Sequence, residues 1–240
     1  MTDKLAQTTA LRELVDLAPI KTWSLIATMF GDLDHEEIRG KQVGAILKSS
    51  GIKPEAMRVA FHRLRKEGWL VSTKSGREVI YSLSSEARAQ TRAAYDRVYS
   101  KTAPFADGWE MVLSVEDLTP PDVSTPTVNI AKNIFLRPVG SSTETDGFVV
   151  ERVNDSVPDW FEDRLVPPDV RHTAQSVASI AAKAPAGQHN RLLILHRWRL
   201  LALRNQTWAH IDLFPDGPLA QCHKAVSAYL SATPRLTVNQ

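Results

Sequence analysis

Eight side chains that are or can become cationic, Lys53, Arg58, His62, Arg63, Arg65, Lys66, Lys74 and Arg77, stand between residues 53 and 77. Over residues 48–77 the balance is 8 Lys and Arg against 2 Asp and Glu. Guanidinium and ammonium groups donate hydrogen bonds and accept none, so they match phosphate oxygens and the O6 and N7 acceptors of guanine. Such a local surplus concentrates phosphate-bearing partners around it, although for any single arginine a solvated surface position is the plainer reading. The formal net charge of +2 hides this asymmetry: residues 21–103 carry 15 basic against 9 acidic side chains, and residues 104–240 carry 12 against 15.

The spacing of the apolar residues arranges these cations. Met57, Ala60, Phe61 and Leu64 recur at i, i+3, i+4 and i+7, which predicts a helix over 54–67 with one buried stripe. Pro54 suits its first turn, Glu55 complements its positive end, and Gly68 stops it. Glu55, Val59, His62 and Lys66 then share the opposite face, flanked by Arg58, Arg63 and Arg65. If that face meets a duplex, Lys53, Arg58, Val59 and His62 near the helix start are the candidates for base edges. Arg63, Arg65 and Lys66 are placed for phosphate, and Lys74 and Arg77 for backbone or minor groove.

Other reactive constellations are weaker. His35 beside Glu36 and Glu37, His189 with His196, and Cys222 with His223 are the nearest groupings among seven histidines and a single cysteine. None combines the spacing and companions of a metal or nucleophile site, so no catalytic residue and no metal are assigned. Adjacent residues such as Cys222 and His223 point about 100° apart on a helix. One cysteine cannot form an internal disulfide, which suits a reducing compartment.

Elements that would position the cationic face are legible around it. Helices are expected over 8–18, 20–31 (Trp23, Ile26, Ala27, Phe30) and 40–50 (Val43, Ile46, Leu47), the last closed by Gly51. After the helix at 54–67 the hydrophobic period changes from 3.6 to 2, and Lys74-Ser75-Gly76-Arg77 separates two β-prone runs as a hairpin. A helix follows over 85–100, ending at Thr102-Ala103-Pro104. Beyond it the pattern predicts strands at 109–115, 133–138 and 148–152, a helix at 120–132, a connector over 154–169, and helices at 171–183, 189–204 and 217–232. The whole is an α+β chain of 240 residues, divided as 1–103, 104–168 and 169–240. No apolar run is long enough to cross a bilayer and no secretion signal is visible, so a cytoplasmic protein is expected.

Three segments together resemble the PaaX family of repressors of phenylacetate catabolism: Ser24 to Asp32 (SLIATMFGD), Met57 to Leu70 (MRVAFHRLRKEGWL) and Tyr81-Ser82-Leu83. The resemblance implies an N-terminal winged helix-turn-helix, a central ferredoxin-like unit similar to the CRISPR-associated Cas2 fold, and a helical C-terminal unit. It also implies a repressor on double-stranded operator DNA, released by a small acidic metabolite such as phenylacetyl-coenzyme A, with no resident cofactor; a homodimer is expected from the symmetry of operator DNA.

The segment 189–204 bears on that effector. Arg191, Arg197, Arg199 and Trp198 could line a pocket for an acidic ligand with an apolar tail. The preferred reading is a core or dimer-interface helix with solvated arginines. Two other functions stay open: a metal-dependent nuclease related to the Cas2-like unit, although no carboxylate set stands out, and a winged helix used as a protein-docking module.

Overall fold

The computed structural model describes residues 12–33, 37–101, 107–114, 127–140, 147–153, 159–204 and 206–237. Outside these lie the opening of the first expected helix, His35 and Glu36, the boundary at 102–104, most of the expected helix at 120–132 and the start of the connector at 154–158.

A helical stretch over 12–16 leads into α1 (Thr22–Asp32), a helix buried on nearly every side, with Leu25, Ile26 and Met29 fully enclosed. The short strand β1 (Glu37–Arg39) precedes α2 (Gly40–Ser49), and α3 (Pro54–Lys66) follows. Helices α2 and α3 end in the same way. At α2 the Gly51 and Ile52 amides donate to Lys48 and Leu47; at α3 the Gly68 and Trp69 amides donate to Arg65 and Leu64. These paired bonds are Schellman closures, in which the glycine must take a left-handed backbone, here φ +76° at Gly51 and +71° at Gly68.

The closure at Gly68 aims the chain into β2 (Leu70–Ser75), which turns at Gly76-Arg77 into β3 (Glu78–Leu83). Gly76 has φ +61°, the glycine-first pattern of two-residue hairpins whose twist matches their strands. β1 adds to β3, giving an antiparallel sheet of order β1-β3-β2. Phe61 on α3 meets Tyr81 on β3 with ring centroids 4.4 Å apart, so helix and hairpin form one packed unit. Helix α4 (Ser85–Tyr99) is N-capped by Ser84, whose hydroxyl accepts from the Ala87 amide at 3.1 Å.

A second sheet contains β4 (Trp109–Ser114), β5 (Val128–Ala131), β6 (Ile134–Pro138) and β7 (Gly147–Val153), all antiparallel, in the order β5-β6-β4-β7. Val128 to Ala131 is thus a strand, where a helix over 120–132 was expected. Asn133, at φ 62°, turns the chain so that Ala131 faces Ile134, and Val128 packs fully buried against the small core of this sheet. The sheet is tied to the helical part by Trp109, whose indole donates to Asp212 at 2.7 Å.

The remaining helices are α5 (Asp159–Leu165), α6 (Pro168–Lys183), α7 (Gln188–Ala202), α8 (Thr207–Leu213) and α9 (Pro218–Ala232). α5 occupies the second half of the expected connector, and α8 has no counterpart in the sequence pattern. One apolar core runs without interruption from Leu14, α1, α3 and α4 into α6, α7 and α9. α7 lies at its centre: every residue from Asn190 to Trp198 is buried.

Candidate nucleic-acid interface

On α3 the sequence pattern and the structure agree on direction. Ala60, Phe61 and Leu64 are buried, whereas Arg58, Val59, His62, Arg63, Arg65 and Lys66 are exposed, and Lys53 stands exposed at the N-cap. Val59 is 69% exposed in the middle of this cationic face. Lys74 and Arg77, both exposed, flank the hairpin tip on the sheet that packs beside α3. Between helix and hairpin an open cleft is lined by His62, Arg65, Lys66, Leu70, Val71 and Ser72. Val71 and Ser72 were not singled out by sequence. The strand alternation places Val71, 46% exposed, outside the core, and only the fold shows that this outside faces the cationic helix.

The cations differ in how they are held. Arg58 pairs with Glu55 at 3.0 Å and Arg63 with Glu67 at 2.8 Å, both exposed. Exposed pairs of this kind contribute about 0.2–1 kcal/mol, so phosphate or a base edge can displace the carboxylate. Arg63 also sits over the Trp23 ring at 5.5 Å from its centroid, which clamps α3 to α1. Glu78, next to the hairpin turn, takes Arg39 at 3.3 Å and Lys41 at 3.4 Å.

The candidate effector residues on α7 lie elsewhere, and three of the four are engaged by the protein itself. The Arg191 guanidinium forks onto Asp32 at 2.6 and 2.7 Å and also donates to Leu230 O, Thr233 O and Thr233 Oγ1. Arg197 donates to the carbonyls of Leu14, Val15 and Ala18, closing the end of the 12–16 helical stretch. Trp198 is enclosed and its indole donates to Val98 O at 2.8 Å. The expectation of solvated arginines on this helix is therefore corrected: packing on all sides takes Arg191 and Arg197 out of solvent, and their donors are satisfied by helix ends. Arg199 alone is half-buried at the edge of a cavity.

Burial also fixes protonation on α7. His196 is held down to about 3 by loss of solvent and by the charges of Arg197 and Arg199. It is therefore neutral. Because the Thr28 hydroxyl spends its proton on Ser24 O (3.0 Å), the 2.9 Å contact with His196 requires Nδ1–H to donate to Thr28 Oγ1.

Comparison with known proteins bears on the segment that carries α3. The family profile described as "PaaX-like protein" matches residues 21–87, which hold α1 to β3 and the N-cap of α4. The transcriptional repressor PaaX of Escherichia coli strain K12 is 36% identical over 110 residues, covering 44% of this chain and 35% of that protein. The chain thus aligns with about a third of the length of this curated relative. Among solved structures, an uncharacterised protein from Mycobacterium tuberculosis superposes over 86% of this chain and 92% of its own, with a TM-score of 0.50 and 16% identity. That likeness extends the shared fold beyond the matched segment and speaks of fold alone. Residues 21–87 of this chain, with the exposed cationic helix among them, are similar to the PaaX-like protein family.

Proposed function

We propose that this chain is a transcriptional regulator that grips double-stranded operator DNA with a winged helix-turn-helix. In this reading α2 and α3 form the helix-turn-helix, α3 enters the major groove, and the β2–β3 hairpin is the wing. The observation that carries it is the exposed face of α3, where Arg58, Val59, His62, Arg65 and Lys66 stand clear of the core beside a hairpin tipped by Lys74 and Arg77. Lys53, Arg58, Val59 and His62 read base edges; Arg63, Arg65 and Lys66 hold phosphate, and Lys74 and Arg77 touch backbone or minor groove.

The name of the E. coli relative supports a repressor; a phenylacetate-type operon as its target follows from the resemblance of Ser24 to Asp32, Met57 to Leu70 and Tyr81 to Leu83. It attaches regulation rather than catalysis to the shared domain. The division 1–103, 104–168 and 169–240 gives a duplex-binding unit, a ferredoxin-like unit and a helical unit; the β5-β6-β4-β7 order supports the second, being the order of a split β-α-β sheet. The regulator acts as a homodimer, because a pseudo-palindromic operator mirrors a two-fold protein, and it is released by a small acidic metabolite or its acyl-coenzyme A thioester.

The test is equilibrium binding of the full chain to labelled duplexes tiled across the DNA upstream of its own gene, with random duplex as competitor. One tile should bind at least about a thousandfold tighter than random DNA at physiological salt. Uniform affinity across all tiles and random DNA would contradict a specific regulator. Light scattering on the complex should give two chains per site.

A further inference from the structure

The outward side of α3 is not cationic throughout. Ala56 and Val59 are both exposed and stand three residues apart, which makes their side chains neighbours on the helix surface. At 69% exposure Val59 is the most open of the large apolar side chains among the described residues. A single exposed valine is ordinary on a protein surface, and it is the surroundings that give this one a meaning. Apart from Pro54, the other exposed side chains from Lys53 to Lys66 are all Lys, Arg, Glu or His. Valine is also a poorer helix former than the lysine, arginine or alanine that would serve a solvated position.

The nearest guanidiniums are drawn aside from it. Arg58 reaches back to Glu55 at 3.0 Å, while Arg63 reaches forward to Glu67 at 2.8 Å and lies over the Trp23 ring. Val59 therefore stays open, with His62 one turn further along the same face.

An apolar side chain carried into a major groove meets mainly hydrogen-bonding edges: N7 and O6 of guanine, N7 and the amino group of adenine, the amino group of cytosine and O4 of thymine. Covering any of these with valine takes a polar group out of water and gives it no partner. The 5-methyl group of thymine is different, because two apolar surfaces leave water together.

We infer that Val59, with Ala56 beside it, selects a thymine through its 5-methyl group, and that Arg58 and His62 flank this contact with hydrogen-bonding groups. The inference rests on the proposal that α3 enters the major groove, and it adds the identity of one base that the helix prefers.

The experiment takes the tile that the full chain binds best and replaces its thymines one at a time by deoxyuridine, which keeps every hydrogen-bonding group and removes only the methyl. At one position in each half-site the replacement should weaken equilibrium binding about three- to tenfold, the worth of one apolar contact. V59A, checked for folding by its thermal transition, should bind the thymine and deoxyuridine forms of that tile alike. V59I, which keeps a branched apolar end, should retain the loss. A tile that is preferred over random DNA yet loses less than about twofold at every position overturns the contact and leaves the regulator standing. A deoxyuridine loss that persists in V59A does the same. If no tile is preferred, the regulator fails and the contact falls with it.

Discussion

Asp32 is fully buried, and everything around it is there to hold its charge. Arg191 forks onto its carboxylate, the Tyr99 hydroxyl donates to Oδ1 at 2.9 Å, and the Leu236 amide donates to Oδ2 at 3.3 Å. Removing one partner of a buried ion pair strands the other, a cost of about 3–5 kcal/mol. D32A should therefore lower the unfolding free energy by about that amount in urea titration, and a loss under 1 kcal/mol would mean that the pair is not closed in solution. At the duplex face the expected losses are functional. R58A should cost about 1–3 kcal/mol on the preferred site and little on random DNA, whereas K74A should weaken both evenly; anisotropy titrations on the two duplexes separate them. Which residues are cationic was plain from the sequence. Which cations are spent internally was not, because Arg191 finds Asp32 at a separation of 159 residues and nothing local marks it.

Whole elements were legible where their surroundings are asymmetric. α3 shows an apolar stripe because one side faces core and the other faces solvent. α7 shows no such stripe, since it is packed all round, and arginines on it looked like surface residues. β5 leaves little strand signal, because it is only four residues long and a two-residue turn at Asn133 ends it. α8 is seven residues long, too short for a period to be read. Burial of α7 and α8 leads to a pH effect. His196 titrates near 3 and His210 near 4 when folded, against 6.5 in the unfolded chain. The unfolded state therefore binds the extra protons below pH 6.5, and stability falls as pH drops through that window. Each histidine should remove about 2 kcal/mol between pH 7 and 5. H196Q should flatten the dependence of urea midpoint on pH by about half, and an unchanged slope would show that the histidine is solvated. At the joint between α3 and the β2–β3 hairpin, G68A places a side chain in open space but on a left-handed backbone, and should cost about 1–2 kcal/mol in the same titration.

At the scale of the molecule, the matched segment 21–87 and the C-terminal helices share one apolar core, with α1 between α3 on one side and α7 on the other. The helices α1 to α4 and the β2–β3 hairpin were legible in the sequence, from local signals such as Pro54 and Gly68, whereas the three-residue β1 was not, being too short to show a period. Closure of residues 14–98 onto 166–236 was not, because contacts over such separations leave no periodic trace. That closure gives α3 a rigid back: Arg63 on Trp23, Phe61 on Tyr81 and the core beneath fix its cationic side outward. The most direct measurement of this arrangement is the salt dependence of duplex binding by the full chain, compared with a variant carrying R65A, K66A and K74A. Wild-type affinity should fall steeply with salt on a log–log plot, and the variant's slope should be shallower by about 0.9 for each of the three phosphate contacts removed. Two parallel lines, or a wild-type affinity indifferent to salt, would contradict a cationic face built to lie against DNA.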